Sequence, residues 1–186
     1  MEVWNALLGG RTLIVVPDVS ALIGCVDSPP PSVRRLLVVP SVLRAMLDRA
    51  EALGRVPASL LSLVAVSGEP MPATLLSRYR KMLPGGTLAN VYGMTEGHGD
   101  CTAAVYPPSR PFDGTTDRVA IGGSIIDFTL CVRDVESGKW VRAAGESGEL
   151  YLASTCVVDG YFAHADGSII ADAKAIGKFP MATAEM

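Results

Sequence analysis

One seven-residue stretch carries the side chains best suited to chemistry, and it reads NVYGMTE from Asn90 to Glu96. Tyr92 offers an aromatic face on which a purine can stack, a contact worth about 1–3 kcal/mol. The Asn90 amide offers a donor and an acceptor, which matches the edge of an adenine. Gly93 lets the backbone turn closely, while Thr95 and Glu96 supply a hydroxyl for a phosphate oxygen and a carboxylate for Mg²⁺. These residue types suit a nucleotide, although a turn of the Asn-x-Tyr-Gly kind also occurs without any ligand.

The elements before this stretch predict a parallel sheet. An apolar strand over 87–91 leads directly into the stretch, and another over 60–66 lies one helix earlier. That helix begins at Pro72 and carries apolar residues at helical spacing as far as Leu83. Strand, helix and strand joined by short links indicate parallel strands. Because ligands in such sheets bind beyond the carboxyl ends of the strands, the stretch lies where a site is expected.

Earlier in the chain the sequence predicts further elements of the same kind. Residues 2–8 read as the end of a helix and residues 12–16 as an apolar strand. A second apolar run over 36–39 leads into a helix that opens at Pro40 and ends at Gly54. The expected buried stripe of that helix consists of Leu43, Met46, Leu47, Ala50 and Leu53.

The character of the sequence changes after Tyr106. Residues 107–118 are rich in Pro, Gly, Ser and Asp and read as a linker, and two β-type segments follow at 128–133 and 149–153. We therefore predict an α/β fold, with a parallel-sheet α/β part over 1–106 and a small β-rich subdomain over 119–186.

The bulk composition argues against several classes of protein. The 186 residues are 49% hydrophobic with a net charge of −3, which allows a sizeable core and disfavours a nucleic-acid partner. No stretch approaches the ~20 apolar residues of a membrane-spanning helix, and the pattern of a signal peptide is missing at the start. The four cysteines form no Cys-x-x-Cys pair, so we expect free thiols, no zinc site and a cytoplasmic location.

The residues near the stretch also allow two other catalytic interpretations. His98 and Cys101 could in principle form a nucleophile pair, but no third residue is visible to orient them, which favours an ordinary loop histidine. Glu69 could serve as a base, yet its position in a Ser-Gly-Glu turn favours a turn carboxylate.

The NVYGMTE stretch resembles the core motif of the adenylate-forming superfamily, which is usually written (N/Q)-x-Y-G-x-T-E. That superfamily includes acyl-CoA synthetases, luciferases and peptide-synthetase adenylation domains. Further segments resemble family segments in the same order along the chain, at residues 2–13, 39–43, 67–70, 119–122, 145–150 and 160–161. Within the family, the motif is most similar to that of the β-alanine-activating, aminoadipate-related branch.

The resemblance implies a role for each matching residue, with ATP and Mg²⁺ as the ligands. Tyr92 would stack on adenine, Asn90 would bond its amino edge, and Gly93 would allow the close approach. Thr95 and Glu96 would be the catalytic residues, of which Thr95 meets the phosphate and Glu96 holds Mg²⁺. The remaining matches are on the other side of the adenine (Ser67, Gly68 and Glu69), at the ribose (Glu185) and in the acyl pocket (Ala65, Ser67, Val91, Gly99 and Asp100).

The pattern also departs from the family. No Ser/Thr/Gly-rich phosphate loop closed by lysine matches, nor does the small domain with its catalytic lysine, and Glu185 stands where the family has an aspartate. We therefore expect part of an ATP-dependent ligase that activates a carboxylic acid, fatty or amino, and passes it to the thiol of CoA or of a carrier protein in the full-length protein. The alternative is a degenerate, non-catalytic module that binds a nucleotide or a protein. By itself the 186-residue chain should show little ligase activity.

Overall fold

The computed structural model describes residues 6–28, 33–55, 61–125, 128–155, 157–158, 161–162 and 169–170. By its internal contacts the chain forms two compact units. Unit 1 comprises Met1–Asn90 and Val105–Val119, and unit 2 comprises Val91–Ala104 and Ala120–Met186. The division into 1–106, 107–118 and 119–186 stays a prediction.

The described elements alternate helix and strand in the first half of the chain and are mostly strands in the second. The helices are α1 (Val19–Gly24), α2 (Pro40–Ala52) and α3 (Ala73–Met82), with a 3-10 helix at Thr95–Gly97. The strands are β1 (Arg35–Val38), β2 (Leu63–Val66), β3 (Thr87–Met94), β4 (Gly99–Tyr106), β5 (Gly123–Ser124), β6 (Thr129–Arg133), β7 (Glu149–Ala153), β8 (Tyr161–Phe162) and β9 (Ile169–Ile170). One sheet has the order β1-β2-β3-β4-β5, and β6-β7 and β8-β9 form two-stranded sheets. This arrangement confirms the predicted α/β class.

Parallel pairing in unit 1 aligns the ends of its strands. β1 pairs with β2 up to Val38↔Val66, and β2 pairs with β3 up to Val66↔Asn90. The residues that follow β1 and β2 therefore emerge at the same edge of the sheet, beside Asn90. This is the edge at which open α/β sheets bind ligands.

The two long helices bury the faces that their periodicity predicts. On α2, Leu43, Met46, Leu47 and Ala50 are buried, but Leu53 is 44% exposed. The prediction for Leu53 was wrong because the helix ends at Ala52 and Leu53 is its C-cap residue, which no longer follows the helical stripe. On α3 and just after it, the predicted residues Leu75, Leu76, Tyr79 and Leu83 are all buried.

The predicted strand over 12–16 is absent from the structure. Residues 11–16 have no regular secondary structure, and Val15 is 79% exposed. An apolar, β-branched run favours a strand, but a strand also needs a hydrogen-bonded neighbour, and none of the described strands pairs with this run. The chain instead enters α1, whose N-cap Asp18 accepts a hydrogen bond from the Ala21 N–H at 2.7 Å.

The segment 107–118 packs closely within unit 1. The Phe112 ring meets Tyr106 edge-on with centroids 5.8 Å apart, and Arg80 on α3 donates to the Pro107 carbonyl at 3.2 Å. The segment then pairs with the start of α3, where the Ala73 N–H donates to the Asp117 carbonyl at 3.1 Å. A Pro- and Gly-rich stretch that reads as a linker is thus held in place by specific contacts.

Unit 2 contains antiparallel pairs. β4 pairs with β5 through Thr102↔Ser124, and β6 pairs with β7 over their full lengths. The latter two match the predicted β-type segments at 128–133 and 149–153. None of the helices in the described ranges is long and apolar enough to span a bilayer.

Candidate functional site

In unit 1, the turn that follows β2 is fastened to the start of α2. The Ser67 N–H donates to the Val38 carbonyl at 3.2 Å. Glu69 accepts two hydrogen bonds from Ser41, one from the backbone N–H at 3.0 Å and one from Oγ at 2.8 Å. Between them Gly68 has φ +87°, a left-handed conformation that favours glycine. The turn is therefore held at both ends.

Asn90 lies beside this turn and is almost completely buried. It is 3% exposed, and its Nδ2 donates to the Val119 carbonyl at 3.3 Å. Since Asn90 pairs with Val66, it adjoins the strand end from which Ser67 continues. Part of its hydrogen-bonding capacity thus holds the segment that leads out of unit 1.

The rest of the motif belongs to unit 2, where β3 turns into β4. Tyr92 is half-buried, and its burial raises the pKa of the phenol, with smaller contributions from Cys101 and Glu96. A neutral phenol ring is therefore the form present at neutral pH. Thr95 is exposed and Glu96 half-buried on the 3-10 helix that forms the turn.

Gly93 marks the closest approach of the two strands. A Cβ at this position would lie 2.1 Å from the Gly99 carbonyl oxygen, so no other residue fits without moving the backbone. Gly99 and Asp100, two of the predicted pocket residues, are half-buried next to Gly93, as is Val91 on β3. The structure thus brings Tyr92, Gly93, Gly99 and Asp100 together within unit 2.

The donor set around Glu96 fits Mg²⁺ only if phosphate oxygens complete it. Within the described ranges, no group of three or more His, Cys, Asp or Glu residues could hold a metal ion. Glu96 and Thr95 are adjacent oxygen donors at the turn. Mg²⁺ is commonly held by one or two carboxylates together with substrate phosphates, so this pair suits a shared site.

Cys101 does not resemble a nucleophile. It is fully buried, its Sγ donates to the Gly99 carbonyl at 3.3 Å, and burial raises its pKa. The thiol form is therefore favoured over the reactive thiolate. His98, which is exposed in a left-handed conformation with φ 59°, closes the turn.

Two residues that hold the site were missed by sequence reasoning. Ser41 follows the helix-opening Pro40, and a serine inside the first turn gives no sign of a partner 28 residues away. Thr102 is fully buried and donates from Oγ1 to the Ile121 carbonyl at 2.8 Å. A threonine within a β-type run gives no sign of such a partner. Glu185 lies outside the described residues, so its predicted role at the ribose stays a prediction.

Comparisons with known proteins place the chain in a family. The family model described as AMP-binding enzyme matches residues 1–162. The chain is 35% identical over 172 residues to an L-proline–[L-prolyl-carrier protein] ligase of Streptomyces coelicolor, covering 89% of this chain and 31% of that protein. It is 35% identical over 168 residues to an isonitrile lipopeptide synthase of Mycobacterium tuberculosis, covering 88% of this chain and 6% of that protein.

A solved structure agrees with these relatives. The Vibrio cholerae adenylation domain AlmE, in complex with glycyl-adenosine-5'-phosphate, matches with a TM-score of 0.69 and 25% identity over 86% of this chain and 30% of that one. The chain thus spans less than a third of the length of each of these three proteins. The motif at the β3–β4 turn, the sheet and the matched family model agree, and the chain belongs to the family of AMP-binding, adenylate-forming enzymes.

Proposed function

We propose that this chain forms part of an ATP-dependent ligase domain that activates an amino acid as its adenylate. The observation that carries the proposal is the β3–β4 turn, where a half-buried neutral tyrosine is followed by an adjacent hydroxyl and carboxylate. An aromatic face, a phosphate donor and a hard oxygen ligand are what a magnesium-bound nucleotide requires.

Each residue of the motif has a role in this proposal. Tyr92 stacks on the adenine, and Asn90 bonds its amino edge. Gly93 allows the nucleotide close to the backbone. Thr95 donates to a phosphate oxygen, and Glu96 is the carboxylate that holds Mg²⁺. A role in binding the nucleotide is also proposed for the turn at 67–69.

The reaction needs positioning more than a protein nucleophile. A carboxylate oxygen of the substrate attacks the α-phosphorus of ATP, the bond to the bridging oxygen breaks, and pyrophosphate leaves with that electron pair. Mg²⁺, when bound, offsets negative charge on the phosphates. The residues of this chain hold the base and orient the phosphate, so that attacking and leaving oxygens stay aligned.

An amino acid is favoured over a fatty acid by the chemistry of the acyl pocket. The proposed pocket residues Ala65, Ser67, Val91 and Gly99 have small or medium side chains, and Asp100 adds a carboxylate that can pair with an ammonium group. The names of the relatives, a prolyl-carrier ligase and a glycyl-adenylate complex, support the same class. An Asp100→Ala variant of the full-length protein that kept its preference among acids would contradict this assignment.

The acceptor of the activated acid is proposed to be a carrier-protein thiol. The support is the relative in Streptomyces coelicolor, a ligase named for its prolyl-carrier protein, and CoA is the alternative acceptor. A cytoplasmic location and membership of the β-alanine-activating branch stay predictions. A degenerate module that binds a nucleotide or a protein without catalysis stays the alternative prediction.

The test of the proposed nucleotide function is a calorimetric titration of ATP into the purified chain with and without Mg²⁺. We expect Mg²⁺ to strengthen binding of ATP to the natural chain. In Glu96→Gln, which keeps the shape of the side chain and removes its charge, Mg²⁺ should have little effect. A Glu96→Gln variant that retains the full Mg²⁺ dependence would exclude Glu96 as the metal ligand.

A further inference from the structure

We propose that Glu69 is a positioning residue, which fixes the Ser67–Gly68 turn against the start of α2 through Ser41, and that it does not contact the nucleotide itself. The inference rests on the proposed role of this turn in nucleotide binding. It assigns to the Glu69 carboxylate a partner within the protein in place of the ligand that the family resemblance implies.

The first observation is that both carboxylate oxygens of Glu69 are engaged by one residue. Oε2 accepts from the Ser41 N–H at 3.0 Å, and Oε1 accepts from Ser41 Oγ at 2.8 Å. The two residues are 28 positions apart, so the contact joins two separate segments of unit 1. A carboxylate held in this way has a fixed direction, which points it at the helix.

The second observation is that α2 lacks a cap of its own. Its N-cap residue is Val39, which makes no side-chain hydrogen bond, and Pro40 follows without an N–H. The Ser41 N–H is therefore the first donor that the helix presents. Glu69 supplies the acceptor that a serine or aspartate at the N-cap would normally provide, and its negative charge suits the helix N-terminus.

The third observation is that the same turn is attached at its other end. The Ser67 N–H donates to the Val38 carbonyl at 3.2 Å, and a Cβ on Gly68 would lie 3.5 Å from Val39 Cγ1. Because Val38 and Val66 pair in register, the turn and the helix start lie side by side. Three hydrogen bonds, one at Ser67 and two at Glu69, leave little freedom between these two residues.

The Glu69–Ser41 contact should affect nucleotide affinity because it keeps the turn in one conformation before the ligand binds. Without the Glu69–Ser41 contact the turn is fixed at Ser67 alone, and only a fraction of molecules holds the binding conformation. The apparent dissociation constant rises in proportion to the inverse of that fraction. A lost helix cap corresponds to about a fivefold change in such an equilibrium.

The experiment compares Glu69→Ala, Ser41→Ala, the double variant and Ser41→Thr, with Glu136→Ala as control because Glu136 is an exposed carboxylate elsewhere. Amide hydrogen exchange by NMR reports on residue 41 and residues 67–69, and calorimetry reports on ATP affinity. We expect Glu69→Ala to speed exchange at these amides about fivefold, Ser41→Ala to do so to a smaller extent, and Ser41→Thr and Glu136→Ala to match the natural chain. ATP affinity should fall in both alanine variants, and the double variant should be no weaker than Glu69→Ala.

Two results would overturn the inference. Unchanged exchange in Glu69→Ala would show that the carboxylate does not hold the turn. Affinity that falls in Glu69→Ala but not in Ser41→Ala would show that Glu69 contacts the nucleotide directly. If the natural chain binds no ATP, the proposed nucleotide function fails for this chain, and the exchange rates alone decide whether Glu69 positions the turn.

Discussion

At the scale of single residues, Gly93 shows how strongly the β3–β4 turn constrains its sequence. The position looks like a flexible turn glycine when the motif is read alone. In the structure a Cβ there would lie 2.1 Å from the Gly99 carbonyl oxygen and 2.7 Å from the Asp100 Cα. Glycine is needed at this position because the backbones of β3 and β4 approach each other closely. This requirement is separate from any contact with a ligand.

Replacing Gly93 with alanine should therefore destabilise the chain itself. We expect Gly93→Ala to lower the free energy of unfolding by about 2–3 kcal/mol, because overpacking against backbone cannot be relieved by a side-chain rotation. The matched control is Gly123→Ala in the same unit, where a Cβ meets nothing within 4 Å. Urea unfolding of the two variants would contradict this account if both were as stable as the natural chain.

The residues of the site differ in how far the sequence predicts them. Residue types and family resemblance are enough to select Tyr92, Thr95 and Glu96. Thr95 and Glu96 lie on the turn as predicted, whereas Tyr92 lies in β3, which continues to Met94 and not only to the predicted end at residue 91. Residue types and resemblance do not reveal that Asn90 is hydrogen-bonded to Val119, or that Glu69 is hydrogen-bonded to Ser41. Both partners are about 28 residues away in the chain. Such pairings depend on the register of the sheet, which the sequence does not state.

At the scale of elements, Tyr79 joins α3 to β3. The ring is fully buried, and its hydroxyl donates to the Thr87 carbonyl at 3.2 Å. Burial raises the pKa of this phenol to about 12 from an ordinary value of 10.0. The folded chain therefore strongly favours the neutral phenol, and ionisation is easier in the unfolded chain.

This difference predicts how stability changes at high pH. Because the folded pKa is raised, the stabilisation is complete below pH 10 and is lost as the pH rises towards about 12. We expect the natural chain to lose about 2–3 kcal/mol over this range through Tyr79. Tyr79→Phe should be less stable by about 1 kcal/mol at pH 7, where only the hydrogen bond is lost, and more stable at pH 12. Urea unfolding that gave a constant difference between the two chains from pH 9 to pH 12 would contradict this assignment.

The elements themselves are predicted well where periodicity is strong. Helices α2 and α3 and strands β1 and β2 follow from apolar spacing that tertiary packing preserves. The prediction of a strand over 12–16 was wrong because a high strand propensity does not supply a neighbouring strand to pair with. Strand β4 was missed because Gly99, Asp100 and Thr102 interrupt its apolar character, and only its place between β3 and β5 in the sheet identifies it as a strand.

At the scale of the whole molecule, each compact unit carries predicted nucleotide-binding residues of its own. The turn at 67–69 and Asn90 belong to unit 1, and Tyr92 and Glu96 belong to unit 2. Since the chain spans less than a third of the relatives it matches, binding of the nucleotide is a more direct property to test than turnover.

The measurement that tests the central claim most directly is the affinity of the purified chain for ATP with Mg²⁺, compared between the natural sequence, Tyr92→Phe and Tyr92→Ala. If the Tyr92 ring stacks on adenine, Tyr92→Phe should bind nearly as well as the natural chain. Tyr92→Ala should bind about tenfold to a hundredfold more weakly, as expected for the loss of one base–aromatic stack. Equal affinity in Tyr92→Ala, or no ATP binding by the natural chain, would contradict the claim that this chain forms an adenine site around Tyr92.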